Sequence, residues 1–159
     1  TSLSHSHGHV ALGIADRDLL IGVDIEYLRA RNASGIAELS FDPDEAEWLA
    51  RLQEPERLLR FYELWTLKEA FAKALTLDLL TALRHCRVHA REGGLQAEVP
   101  SDLAWSAVIL APRTEFRLAI VRMASDQRLL EGEQLKTHEW PEPSRGPWTV
   151  ISRLTSNRT

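Results

Sequence analysis

Apolar residues recur along this chain with two different periods, which predict a long helix and several strands. From Phe61 to Lys73 the apolar positions are three and four residues apart, so they form one buried stripe of a helix. This helix is predicted to begin at Glu56 and to end near Leu75.

A shorter helix is predicted just before the long one, from Pro43 to about Leu52. Asp42 suits the N-cap position, Pro43 suits the first helical position, and Glu45 can complete a capping box. Another short helix is expected at residues 36–39.

Strands are predicted where apolar runs are bounded by turn residues. The apolar run after residue 8 and the run at residues 19–26 are expected to pair as a hairpin through a turn at residues 16–18. Further strand-like runs are residues 84–91, 95–99, 105–111 and 116–124. The pattern therefore predicts an α+β fold in which an antiparallel sheet packs against the long helix.

The chain is predicted to hold one domain at residues 1–125 and a C-terminal tail at residues 126–159. Residues 126–135 could form a polar helix, but the next stretch is rich in proline and has no period. Trp140 and Trp148 are expected either to pack this tail across the surface or to lie in a disordered segment.

Composition and charge exclude some classes of binding partner. The net charge of −4 and the lack of a basic cluster argue against a nucleic-acid partner. No apolar run approaches the roughly 20 residues of a membrane span, and the first residues do not form a targeting signal. A single cysteine, Cys86, excludes an internal disulfide and is predicted to be a buried strand residue. We therefore expect a cytoplasmic protein with no membrane partner.

Candidate chemistry is concentrated on one strand and on the long helix. Asp24 and Glu26 point to the same side of a strand, and Trp65, Glu69 and Lys73 share one helix face. Three carboxylates suit Mg²⁺, which takes further ligands from substrate phosphates, and Lys73 could meet a phosphate oxygen. A solvated surface ion pair on the helix and an exposed edge strand are the alternative interpretation.

Alternating His5, His7 and His9 also suggest a zinc site. This interpretation is the less favoured one, because no cysteine or further histidine lies nearby to complete the ligand shell.

Three sequence blocks in order closely resemble the signature motifs of the 4'-phosphopantetheinyl transferases. They are Leu-Ser-His-Ser at residues 3–6, Gly-Val-Asp-Ile-Glu at 22–26, and Trp-Thr-Leu-Lys-Glu-Ala-Phe-Ala-Lys at 65–73. Their order resembles the surfactin-synthetase type. The resemblance covers residues 2–124 and implies one half, the C-terminal and motif-bearing half, of that family's pseudo-dimeric fold.

The resemblance implies transfer of 4'-phosphopantetheine from coenzyme A to a serine of an apo acyl or peptidyl carrier protein. It implies that Asp24, Glu26 and Glu69 bind Mg²⁺ and that Glu69 is also a candidate general base. Lys73 would bind the pyrophosphate of coenzyme A during catalysis.

Coenzyme A contacts are implied for four residues in all, namely Ser4, His5, Lys68 and Lys73. The first half of the pseudo-dimer is missing from the resemblance, so we expect either a truncated product, which is favoured, or a second copy that rebuilds the cleft. Relatives commonly have glycine just after the motif lysine and at the position of His7, whereas residues 74–83 contain none.

Two alternatives stay open. One is a catalytically silent half-domain that binds coenzyme A or a carrier protein. The other is an unrelated Mg²⁺-dependent phosphohydrolase that uses the same three carboxylates, against which the context of His5 and of residues 68–69 argues.

Overall fold

The computed structural model of the protein describes residues 1–91, 94–132, 136 and 149–156. Thirteen elements are present in these ranges. The strands are β1 (Ser2–Ser6), β2 (His9–Gly13), β3 (Leu20–Tyr27), β4 (Arg87–Arg91), β5 (Gly94–Glu98), β6 (Ala104–Ala111), β7 (Phe116–Ala124) and β8 (Thr149–Thr155). The helices are α1 (Ala33–Ser40), α2 (Pro43–Arg51), α3 (Glu56–Leu75), α4 (Leu79–His85) and α5 (Gln127–Gly132).

The main sheet has four strands in the order β3-β7-β6-β8, and every neighbouring pair is antiparallel. The larger apolar core lies between α3 and one face of this sheet. A smaller cluster, which includes Val23 and Ile25, covers part of the other face. The predicted α+β fold, with an antiparallel sheet packed against a long helix, is confirmed.

Helix α3 has the predicted limits and the predicted buried stripe. Leu64, Leu67 and Phe71 are fully buried, and burial of side chains of this size contributes about 1.5–3 kcal/mol each. The helix ends where Thr76 adopts a left-handed conformation with φ of 55°. A β-branched residue therefore adopts a conformation that is sterically costly for it.

Helix α2 begins as its sequence predicts. The Asp42 side chain accepts a hydrogen bond from the backbone N–H of Asp44, and Glu45 accepts one from the backbone N–H of Asp42, which forms a capping box. The stretch after Thr76 was not predicted to be helical, yet α4 forms there with Asp78 as its N-cap. Cys86 ends α4 and is buried, but it precedes β4 rather than lying within it.

The predicted N-terminal hairpin is wrong in its pairing. Strand β1 pairs with β2 through a tight turn at His7 and Gly8, whose φ angles are 45° and 74°. Positive φ at both turn residues matches the twist of the two strands, a conformation that glycine adopts more easily than histidine. Strand β3 pairs with the distant β7 instead and forms one edge of the main sheet.

Three serines of β1 attach it to the free edge of β3. The hydroxyl groups of Ser2, Ser4 and Ser6 accept hydrogen bonds from the backbone N–H groups of Val23, Ile25 and Tyr27, respectively. The distances are 3.0, 3.3 and 3.1 Å. Side chains at alternate positions of one strand thus replace the backbone partners that an edge strand lacks.

Part of the predicted tail belongs to the main sheet. Strand β8 pairs with β6 through a register shift between Ile109 and Leu110. The polar helix predicted at 126–135 is present as α5, whereas Trp140 and Trp148 lie outside the described residues. None of the helices in the described part of the chain is both long enough and apolar enough to cross a membrane.

Candidate metal and phosphate site

Three carboxylates from two elements meet where α3 packs against the edge strand β3. Asp24 and Glu26 lie on the same face of the strand because they are two residues apart. Gly22 lies on this face too and packs against α3, since a Cβ added to Gly22 would lie 1.9 Å from the carbonyl oxygen of Ala70. The face that carries the two carboxylates is therefore turned towards α3. Glu69 is next to Ala70, and one oxygen from each carboxylate lies within 4.8 Å of the others.

Carboxylates this close cannot all be ionised without a counter-charge. Burial raises the pKa of Glu69 to about 7; the charge of Asp24 adds to the rise and Lys73 opposes it. Burial also raises the pKa of Asp24 and of Glu26 above their usual values. Lys73 offsets only one of the three charges, so the cluster favours either shared protons or a bound cation.

The two oxygen atoms of Asp24 have different surroundings. Oδ1 accepts hydrogen bonds from Ser4 Oγ and Lys73 Nζ, each at 2.8 Å. Oδ2 is buried and has no hydrogen-bond partner among the described residues. An oxygen in this state, beside two further carboxylates, forms the hard-oxygen ligand set that fits a divalent cation.

The alternating histidines do not form a comparable group. Within the described residues, the geometry required for three metal ligands is met by the carboxylates, and not by His5, His7 and His9. His7 stacks on Tyr27 with ring centroids 4.1 Å apart, and the His9 ring packs against Phe116 at 4.4 Å. These two rings are packing residues of the hairpin.

Lys73 supplies positive charge at the open side of the carboxylate cluster. Its Nζ donates to Asp24 Oδ1 at 2.8 Å and to the carbonyl oxygen of Val23 at 3.1 Å. The side chain is 30% exposed, so the ammonium group can also reach an anion from solvent. Glu69 and Lys73 line one side of a cavity of about 550 Å³, which residues 1–3 and 76–79 also line.

Ser4 and His5, both predicted to contact coenzyme A, are placed differently. Ser4 is 8% exposed, and its hydroxyl group points towards Asp24. His5 is exposed on the opposite side of β1, because neighbouring residues of a strand alternate in direction. The structure thus joins Ser4 to the carboxylate cluster and leaves His5 on the surface.

Lys68, which was also predicted to bind coenzyme A, lies outside the site. Its side chain is 0% exposed, and Nζ donates to Glu45 Oε2, Leu83 O and Cys86 O at 2.8, 2.7 and 2.6 Å. These three acceptors use every donor of a lysine ammonium. Burial lowers the pKa of Lys68, while the charge of Glu45 opposes that shift.

Lys68 lies outside the site although Glu69 lies within it because of the helical period. Consecutive residues of a helix are about 100° apart, so Lys68 and Glu69 point in different directions although they are neighbours in the chain. Glu69 faces β3, whereas Lys68 faces α2 and α4 and connects both to α3. Contact between Lys68 and a ligand would require this buried cluster to break.

Sequence reasoning missed Arg117 of β7. It lies directly across the strand pair from Glu26, is 6% exposed, and has its Nε 3.4 Å from Glu63 Oε1. Arg60 donates to the other oxygen of Glu63 at 2.8 Å. A charged residue inside the apolar run 116–124 was the signal that could have revealed this buried ion pair beside the cluster.

Trp65, by contrast, lies where its spacing predicted, one turn before Glu69. Its Nε1 is buried without a hydrogen-bond partner among the described residues. The indole ring packs against Phe61 and Phe41, with centroid distances of 5.7 and 6.2 Å. Trp65 therefore joins the cluster side of α3 to the aromatic part of the core.

The fold and the site define a class of protein: an α+β domain with three carboxylates and a lysine between a long helix and an antiparallel sheet, a set suited to a cation and a phosphate. A family model described as the 4'-phosphopantetheinyl transferase superfamily matches residues 20–121. That range holds all three carboxylates and Lys73. The chain belongs to this superfamily, as its motifs predicted.

Curated relatives include three proteins named as 4'-phosphopantetheinyl transferases. HetI of Nostoc sp. is 34% identical over 112 residues, which are 70% of this chain and 46% of that protein. The ffp protein of Bacillus subtilis is 37% identical over 105 residues, 62% of this chain and 43% of that protein. The gsp protein of Aneurinibacillus migulanus is 34% identical over 74 residues, 46% of this chain and 30% of that protein. The chain thus spans less than half the length of these relatives.

Proposed function

We propose that this chain is the motif-bearing half of a Mg²⁺-dependent enzyme that transfers 4'-phosphopantetheine from coenzyme A to a serine of an acyl or peptidyl carrier protein. The observation that carries the proposal is the carboxylate cluster with a lysine beside it. Membership of the superfamily and the names of the relatives support it.

Asp24, Glu26 and Glu69 are the proposed ligands of the cation, and the unpartnered oxygen of Asp24 supports that role. When bound, a divalent cation would neutralise pyrophosphate charge and so reduce repulsion of an incoming hydroxyl group. Lys73 would bind a pyrophosphate oxygen from the open side of the cluster. His5 is proposed to contact another phosphate of coenzyme A from the surface of β1.

The proposed chemistry is a displacement at phosphorus. The hydroxyl oxygen of the carrier serine forms a bond to the β-phosphorus of coenzyme A, and the bond from that phosphorus to the bridging oxygen breaks. The serine proton passes to Glu69, directly or through water, and adenosine 3',5'-bisphosphate leaves. Positioning and charge neutralisation are the main demands of such a reaction, and the residues of the cluster are of the kinds that meet them.

A half-domain that binds coenzyme A or a carrier protein without turnover is the second candidate. The observation that favours it is the length of the match, since the chain spans less than half of each relative. The two candidates differ in one product, adenosine 3',5'-bisphosphate, which only the transferase releases.

The test is mass spectrometry of an apo carrier protein incubated with this chain, coenzyme A and Mg²⁺, with EDTA as the control. We expect a metal-dependent gain of one phosphopantetheine, and we expect Glu69→Gln to abolish it while the fold is retained. Glu131→Gln is the matched control, because Glu131 is exposed on α5 and should not affect transfer. Unchanged transfer by Glu69→Gln would refute the metal assignment, and coenzyme A binding without transfer by the unaltered chain would favour the silent module.

A further inference from the structure

The Ser4 side chain is buried beside the carboxylate cluster and contacts Asp24, instead of being exposed to solvent. Its hydroxyl group lies 2.8 Å from Asp24 Oδ1 and 3.3 Å from the backbone nitrogen of Ile25. Ser4 is 8% exposed, so little of its side chain is available to a ligand from solvent. Both of these contacts are to β3, the strand that carries Asp24 and Glu26.

The direction of the Ser4–Asp24 hydrogen bond follows from the other contact. A serine hydroxyl group has one hydrogen to donate and can accept through its oxygen. The N–H group of Ile25 already donates to that oxygen, so the hydroxyl hydrogen is left for the Asp24 carboxylate. Because the hydrogen is directed in this way, Ser4 fixes the orientation of the carboxylate as well as its distance.

The hydrogen bond from Ser4 affects which oxygen of Asp24 is left without a partner. Ser4 and Lys73 both contact Oδ1, while Oδ2 is buried with no hydrogen-bond partner among the described residues. A carboxylate free to rotate would expose Oδ1 and Oδ2 to these donors in turn. Two donors on the same oxygen therefore hold the other oxygen free for a cation.

The hydrogen bond from Lys73 to Asp24 is the one that can be exchanged for another partner. In the proposed function its ammonium group also binds a substrate phosphate, and it is 30% exposed on its flexible stem. Ser4 has a short side chain on a strand that two further serines attach to β3. Its contact with Asp24 can persist while Lys73 exchanges partners.

We infer that Ser4 is a positioning residue, whose hydroxyl group orients the metal-binding carboxylate of Asp24 and does not itself bind coenzyme A. The inference rests on the proposed function, because it assigns Ser4 a role in the proposed metal site. Outer-shell partners of metal ligands typically change metal affinity about 10- to 100-fold when they are removed.

The chain contains a closely matched control for this role. Ser6 lies two residues further along β1, and its hydroxyl group accepts from Tyr27 N–H at 3.1 Å, as that of Ser4 does from Ile25 N–H. Among the described residues, Ser6 forms no hydrogen bond to Asp24. Ser6→Ala therefore removes the same kind of strand contact as Ser4→Ala without removing a donor from the carboxylate.

The test is direct binding of Mn²⁺ to the protein without substrate, followed by electron paramagnetic resonance. We expect Ser4→Ala to weaken Mn²⁺ binding about 10-fold or more, Ser4→Thr to restore most of it, and Ser6→Ala to change it less than about twofold. Thermal unfolding with EDTA should show a larger shift for Ser4→Ala than for Ser6→Ala, since Ser4→Ala loses the hydrogen bond to Asp24 in addition to the strand contact. Coenzyme A binding measured with EDTA, where no cation contributes, should stay unchanged in Ser4→Ala.

Two results would overturn the inference. Equal Mn²⁺ affinity of Ser4→Ala and the unaltered chain, with weaker coenzyme A binding in the variant, would restore Ser4 to the ligand site and leave the proposed function intact. Absence of Mn²⁺ binding to the unaltered chain would instead overturn the proposed metal site, and the role of Ser4 with it.

Discussion

Replacement of Lys68 by methionine tests whether this motif lysine holds the fold together or binds substrate. Methionine retains most of the volume and the apolar stem, but it removes all three hydrogen-bond donors of the ammonium group. Glu45 would then keep a buried charge, since its side chain is 1% exposed. The carbonyl oxygens of Leu83 and Cys86 would lose the lysine donor as well.

Removal of one partner from a buried ion pair typically costs about 3–5 kcal/mol. That is a large part of the roughly 5–15 kcal/mol that stabilises a domain. For a chain of this length each kcal/mol corresponds to about 2–4 °C, so Lys68→Met should lower the melting temperature by roughly 6–20 °C. Urea unfolding followed by circular dichroism measures the change in free energy directly.

Two further variants make the result specific. Lys136→Met should change stability by less than about 0.5 kcal/mol, because Lys136 is exposed. Adding Glu45→Gln to Lys68→Met should recover part of the loss, because the buried charge is then gone and one oxygen remains to accept from Val88 N–H. Full stability of Lys68→Met, together with weaker coenzyme A binding, would refute the structural role.

Two other outcomes follow from the backbone and the carboxylates. Thr76→Gly should raise stability in urea by about 0.5–1 kcal/mol, because glycine adopts the left-handed φ of 55° without the steric cost of threonine; a loss would contradict this. Because burial raises the folded-state pKa of Glu69 from 4.5 to about 7, the cation-free protein should lose stability as the pH rises between these values. Over the same interval the affinity for Mn²⁺ should rise by about tenfold per pH unit, because the ligands must be ionised to bind the cation. If neither stability nor Mn²⁺ affinity changes over this interval, Glu69 has an ordinary pKa.

Local signals in the sequence were sufficient for the helices that carry the site. The limits of α3 and the capping box of α2 depend on residues close together in the chain, such as Asp42 and Glu45, and both were predicted correctly. The strand limits of β5, β6 and β7 were also close to the prediction. Helical spacing and strand alternation likewise indicated that Asp24, Glu26 and Glu69 could meet, and the structure brings these three together.

Pairing over long sequence distances was not predictable in the same way. The partner of β3 is β7, about ninety residues later, and alternation of apolar residues does not identify which strand will be adjacent. Near the N-terminus the alternating histidines suggested a ligand site, whereas the alternating serines at residues 2, 4 and 6 make the contacts to β3. Both sets have the same period, and only the direction in which β1 faces its neighbour distinguishes them.

The motif on α3 contains residues of two kinds, those that pack the helix and those that form the carboxylate cluster. The sequence alone does not distinguish them. The carboxylates come from two elements, so their spacing depends on how closely α3 and β3 approach. Gly22 permits that approach on one side of the helix, where a Cβ would lie 1.9 Å from the Ala70 oxygen. Lys68 holds the other side through its contacts with α2 and α4. Adjacent motif residues can therefore serve different purposes: Lys68 fixes the position of the helix, and Glu69 depends on that position to reach the carboxylates of β3.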